Sequence, residues 1–230
     1  MGRGSAIPQR VTLIADQRSV SVDGMTLATL QGEPPAFDEG DLRGHLVSPL
    51  YDVLVEKAAQ AKDLGEAGKL PPFDGVLVLV IDGNTKFGVV RDIQYTASQA
   101  QFGDFVFVGV DPSGAKVGVP AALPTRAPPG TPPPPMPQLG LTVLIRESGL
   151  ELVSPALPAE QDWTESLPLD YGALSARARS LHDRFPDEEH VVVVPQPETP
   201  LATLIAILAA LHSDEKGTIF ASPIIAGVVM

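Results

Sequence analysis

Four polar residues stand where two apolar runs give way to helical patterns. Asp82 and Asn84 follow the run that closes at Ile81 in "IDGNTKFG", and Gln196 and Glu198 follow Val194 in "VVVVPQPETP". Open α/β sheets collect ligands where a strand ends in a polar turn and a helix begins. The first N–H groups of the helix lack an intrahelical partner there and attract negative charge. Asp82, Asn84, Gln196 and Glu198 are therefore the candidate binding residues. Their alternative employment is local, since a side-chain oxygen in such a turn also caps the helix. The glycine spacing of a dinucleotide loop or of a Walker A sequence is missing.

Other chemistry is sparse. His45, His182, His190 and His212 are the only histidines. His182 and His190 are too far apart for a metal pair one helical turn apart, and a zinc site would need distant residues to converge. They read as solvated or helix-terminal, and neither metal nor cofactor is expected. No serine sits in a G-x-S-x-G elbow with a histidine placed as its base, so no catalytic residue is assigned and the chain reads as a non-enzyme. The carboxylates of "DEGD" (38–41) and "DEE" (187–189) read as solvated loop charges. Trp163, in the polar loop "EQDWTESLPLDY" with Tyr171 nearby, reads as a cover for an exposed sheet face, or as a ring that stacks on sugar or peptide. With no cysteine, disulfides, thiolate zinc sites and cysteine nucleophiles are ruled out.

The balance of charge narrows the partners. Lys and Arg number 16 against 28 Asp and Glu, a formal charge of -12, so the basic footprint that nucleic acid requires is missing. Anionic membrane surfaces are disfavoured for the same reason. The start, "MGRGSAIPQR", has no apolar core that would serve as signal or anchor and reads as trimmed. The most apolar stretch, 191–213, falls short of the roughly 20 residues a membrane span needs, because Pro195, Pro197 and Pro200 break it. It reads instead as a buried β-branched strand over 191–194 followed by a helix. Thr199 is the expected N-cap, Pro200 the first helical residue, and Leu201, Leu204, Ile205, Leu208 and Leu211 form one apolar stripe.

Composition changes abruptly over 111–138, where prolines crowd; this segment reads as an extended polyproline spacer that joins no sheet. It divides the chain into a first domain at 1–110, a linker at 111–138 and a second domain at 139–230. The flanking halves repeat an order. A pair of short strands (11–16 and 19–24; 141–147 and 149–154) leads through a proline-bearing loop to a helix (41–64; 170–184), with Pro49 near the start of the first helix. A buried strand, a second helix and a last strand follow. Matching Thr85 to Thr199 also matches Val80 to Val194 and Phe105 to Ile219 with no gap. The expected fold class is α+β: two tandem β-β-α-β-α-β domains, each a small mixed sheet with two helices on one face. The other face needs a cover, from the partner half or from dimerisation.

The unit at 76–110, with Asp82, Asn84, Val89, Val90, Ile93, Gly103 and the strand 105–110, resembles the periplasmic domain of the ExbD/TolR family of biopolymer-transport proteins. The second half resembles it too, with Gln196 in place of the acidic residue. The resemblance implies a module of proton-driven envelope motors that dimerises and contacts cell wall or a partner protein. It also implies a membrane helix with an essential aspartate, and no run in this chain matches one. The expectation is a periplasmic interaction module whose two halves pair within the chain or self-associate, with peptidoglycan or an envelope protein as partner and no membrane span in the chain. The alternative is a cytoplasmic α/β domain that binds a small ligand or protein.

Overall fold

The computed structural model describes residues 10–110, 116–123, 139–155 and 163–227. The first half runs through β1 (Thr12–Ala15), β2 (Ser19–Val22), β3 (Met25–Gln31) and the short β4 (Ala36–Phe37). A two-residue ladder of β5 (Leu42–Arg43) and β6 (Leu46–Val47) then leads into α1 (Ser48–Glu66), β7 (Val76–Ile81), α2 (Phe87–Gln99) and β8 (Asp104–Val110). Next comes β9 (Lys116–Ala122), followed by β10 (Thr142–Arg146), β11 (Gly149–Ser154), β12 (Trp163–Leu167) and α3 (Tyr171–His182). The chain continues through β13 (His190–Val194), α4 (Leu201–His212), the small hairpin of β14 (Ser213–Asp214) and β15 (Gly217–Thr218), and β16 (Ser222–Ile225).

The fold is mixed α+β, with four helices and one large sheet among the described residues. This corrects the expectation of two small sheets. A single 12-stranded sheet runs β12-β11-β10-β13-β16-β9-β8-β7-β1-β2-β3-β4. Read outward from its middle, β8-β7-β1-β2-β3 and β16-β13-β10-β11-β12 have the same order, with parallel inner and antiparallel outer pairs. The order the two halves share thus holds one strand more than the sequence pattern indicated. Both extra strands, "MTLATLQ" and "WTESL", are largely polar or exposed on a sheet margin, so they carry no strong apolar alternation.

The junction is β9. It pairs antiparallel with β8 along its whole length and parallel with β16 at Ile224 and Ala122. The expectation that 111–138 joins no sheet is therefore wrong for Lys116–Ala122. Pro120 is tolerated because the sheet is thinly bonded on that side. The expected polyproline run at 124–138 lies outside the described residues.

Register explains the core. Leu13, Leu79, Phe107 and Val119 stand in one row across β1, β7, β8 and β9, and Val143, Val193 and Ile225 form its counterpart in β10, β13 and β16. All are buried, as are Leu50 and Leu54 of α1, Ile93 of α2, Leu174 of α3 and Leu204 of α4. Side chains alternate between faces of a sheet, so the helices share the buried face, consistent with right-handed crossovers. α1 packs on α2 and α3 on α4, while α4 reaches across to β8 and β9. Gly109 makes that reach possible, since a Cβ there would stand 2.8 Å from Ile205 Cδ1.

One helix boundary and one strand register differ from expectation. α1 opens at Ser48 rather than near 41, because Leu42 and Leu46 are spent in the β5–β6 ladder. Pro49 lies in its first turn, where a missing N–H costs nothing. The last strands also refuse the gapless match. The shift that lays Val76 on His190 would carry Asp104 to Thr218, but the ladder puts Ser222 there. The β14–β15 hairpin is the insertion that makes the difference.

Candidate functional site

Helix α2 starts after the extended residue Lys86 and α4 after the extended Pro200, and neither start has a side-chain cap. Thr199 is not the N-cap expected of it; its Oγ1 accepts from Gln196 N at 3.0 Å within the turn. The opening N–H groups of both helices are bonded all the same. Phe87 N donates to Thr199 O at 2.8 Å and Gly88 N to Pro197 O at 2.9 Å. Reciprocally, Leu201 N donates to Thr85 O and Ala202 N to Gly83 O, both at 2.9 Å. The two helix starts satisfy each other's orphan donors.

These bonds obey one symmetry. The shift that lays Thr85 on Thr199 turns the first bond into the third and the second into the fourth. It also lays Lys86 on Pro200, and these two form an antiparallel bridge. A local two-fold axis therefore runs through the Lys86–Pro200 pair. Small residues let the backbones approach, for a Cβ on Gly83 would stand 3.0 Å from Cβ of Ala202.

Asp82, Asn84, Gln196 and Glu198 all lie in the two turns that meet here, so the structure brings the four candidates to one seam. The first two N–H groups of each helix already have acceptors, so at this seam any contact to a ligand would fall to the side chains. Asp82 is exposed; its Oδ1 accepts from Asn84 N at 2.8 Å and its own N donates to Ala15 O at 2.9 Å. Asn84 and Glu198 are exposed and Gln196 is half-buried. Two helix N-termini meet at the seam, and the Asp82 and Glu198 carboxylates lie in the turns that lead into them. Trp163 stands apart. Its backbone opens the marginal strand β12 opposite Ser154 rather than a loop, and its side chain lies outside the described residues.

Several polar groups have employment the sequence did not disclose. Glu188, read as a solvated charge, is 6% exposed, and its Oε2 accepts from Leu139 N at 3.1 Å and Gly140 N at 3.4 Å. Ser154 Oγ donates to Leu139 O, so the chain is pinned where β10 begins. Nδ1 of His45 lies 2.8 Å from Asp92 Oδ1, and Nε and Nη2 of Arg91 donate to the same oxygen at 3.2 and 3.1 Å. Thr96 Oγ1 accepts from Val47 N at 2.9 Å, tying the strand before α1 to α2. His182 packs edge-on against Phe220, and His212 Nδ1 lies 3.1 Å from Phe220 O. Most of these partners are well separated in sequence, and they leave no periodic trace.

Arg179 holds the inserted hairpin. Its Nε and Nη2 donate to Asp214 Oδ2 and Oδ1 at 2.9 and 2.7 Å, and Nη2 also donates to Gly217 O at 2.8 Å. The guanidinium, with help from Lys216 N–H, pulls the Asp214 carboxyl down to about 2, and Asp214 in turn raises Arg179. The N–H groups of Arg18 and Ser19 likewise lower Asp16 in the β1–β2 turn.

Among the described residues no cluster of three or more His, Asp or Glu is placed to hold a metal ion, and no helix is long and apolar enough to cross a membrane. A cleft of about 80 Å³ lies between Arg10, Leu70, Phe73 and Phe102, and an open groove adjoins it at Lys62 and Glu66. Neither touches the seam. No protein-family model matches the chain, and a search of curated proteins finds no significant match.

Proposed function

We propose that the chain is a non-enzymatic interaction module of the bacterial envelope, resembling two tandem periplasmic domains of the ExbD/TolR type that pair within one polypeptide. The observation that carries this reading is the reciprocal bonding of the two helix starts across Lys86 and Pro200. Residues that take ligands in other open sheets are spent here on joining two like halves. In simpler members of such a family, the resemblance implies, two chains dimerise; here a single chain supplies both partners. The module works by association, holding peptidoglycan or an envelope protein at the margins of its sheet. There the backbone of β12 or β4 offers hydrogen-bonding groups to an added strand.

Two measurements test it. Epitope-tagged native gene product is expected in the envelope fraction after osmotic shock and membrane separation, and the purified chain is expected to co-sediment with peptidoglycan sacculi. A tagged product confined to the cytosol overturns the reading. So does failure to bind sacculi combined with no envelope cross-link.

A further inference from the structure

The sheet face turned away from the helices has no cover among the described residues. Its centre is largely apolar, with exposed Asp104 at the start of β8 as the charged exception. Ile14 and Val80, paired across β1 and β7, are 45% and 36% exposed. Val78 and Val106 stand beside them in register, and Val192 and Ile224 continue the surface in the second half. Ser21 at one margin and Thr142 and Glu151 at the other give it a polar rim. Apolar centre with polar rim is the anatomy of a protein interface. Moreover, β1-β7-β8 and β10-β13-β16-β9 are parallel runs, and parallel strands are almost always covered on both faces.

We propose that this open face is the contact surface between two copies of the chain, packed back to back as a sandwich of two sheets. At about 4.8 Å per strand and about 17 Å of strand length, the face of one copy spans roughly 900 Å². Two copies would bury about 1,800 Å², inside the range of stable specific interfaces. The local two-fold makes the face resemble itself after half a turn, so a second copy finds the same valine-rich centre in either orientation. With a formal charge of -12 on each chain, added salt strengthens the association by screening repulsion. This inference stands apart from the envelope role.

Sedimentation equilibrium of the full chain at tens of micromolar tests it. A dimer is expected, tighter at higher salt, and weakened at least tenfold in Val106→Lys/Val192→Lys with far-UV circular dichroism unchanged. Should the lysines disturb folding, Val106→Thr/Val192→Thr keeps β-branched side chains and is expected to weaken the dimer about threefold. A wild-type chain that stays monomeric overturns the proposal, as does a dimer that both variants leave intact. A chain that dimerises only when 124–138 is replaced by a Gly/Ser segment assigns the face to that segment and also overturns it.

Discussion

Lys86 and Pro200 meet as an antiparallel bridge, each one residue ahead of its helix, at the point about which the two halves of the chain are related. The first two N–H donors of each helix find their acceptors in the turn before the other. The join therefore depends on backbone proximity, and side-chain bulk is what threatens it. Gly83→Val, which pushes a side chain against Ala202, is expected to lower stability by about 1–3 kcal/mol. A lower urea midpoint with an unchanged slope checks it.

Gly109 and Ile205 couple the halves a second time, strand β8 against helix α4. Gly109→Val is expected to cost about 1–3 kcal/mol through overpacking. Ile205→Ala in the same chain should recover part of that loss, giving a non-additive double-mutant cycle; additive losses would mean that the two do not touch.

Gln94 is fully buried on α2, and neither its Nε2 nor its Oε1 has a hydrogen-bond partner. The shift that lays Thr85 on Thr199 puts Leu208, also fully buried, at the matching place in α4. Gln94→Leu removes the cost of an unpaired buried amide and is expected to stabilise by about 1–3 kcal/mol, read as a higher urea midpoint.

Glu188 accepts two backbone N–H groups at the start of β10. Glu188→Ala strands a donor on buried Leu139 and is expected to cost about 1–3 kcal/mol. Faster hydrogen exchange at Leu139 and Gly140 than in the wild type locates the damage.

The Arg179–Asp214 pair sets an acid limit. Because the folded carboxyl titrates at about 2, below its usual 3.8, its contribution is whole above about pH 4 and fades as pH falls through 2. The gap in melting temperature between wild type and Asp214→Asn should hold steady from pH 5 to 7 and close near pH 2.

The apolar runs were legible because "VLVLVI" and "VVVV" are short, rich in β-branched residues and bounded by turn residues, as inner parallel strands are, and the helical stripe after Pro200 is equally plain. The candidate turns were found for a sound reason, as strand ends that open helices, but the bonding of one helix start to the other left no sign in the sequence. A free N–H looks the same in sequence whether a ligand or another turn takes it. Strand β9 escaped notice because prolines mask a segment whose ladder is bonded fully on one side only. Glu188 was misread because a charge run gives no sign of which member turns inward.

β9 lies where the local two-fold crosses the sheet, so only one half can supply it, and β16 must slot between it and β13. That order has a consequence during synthesis. A ribosome makes β16 after every strand it joins, and until then β9 and β13 both wait with bare edges. At about 5–20 residues per second the interval lasts several seconds. A nascent chain stalled before Ile225 would be the sticky species, and chaperone demand should peak there rather than at the crossing from one half to the next.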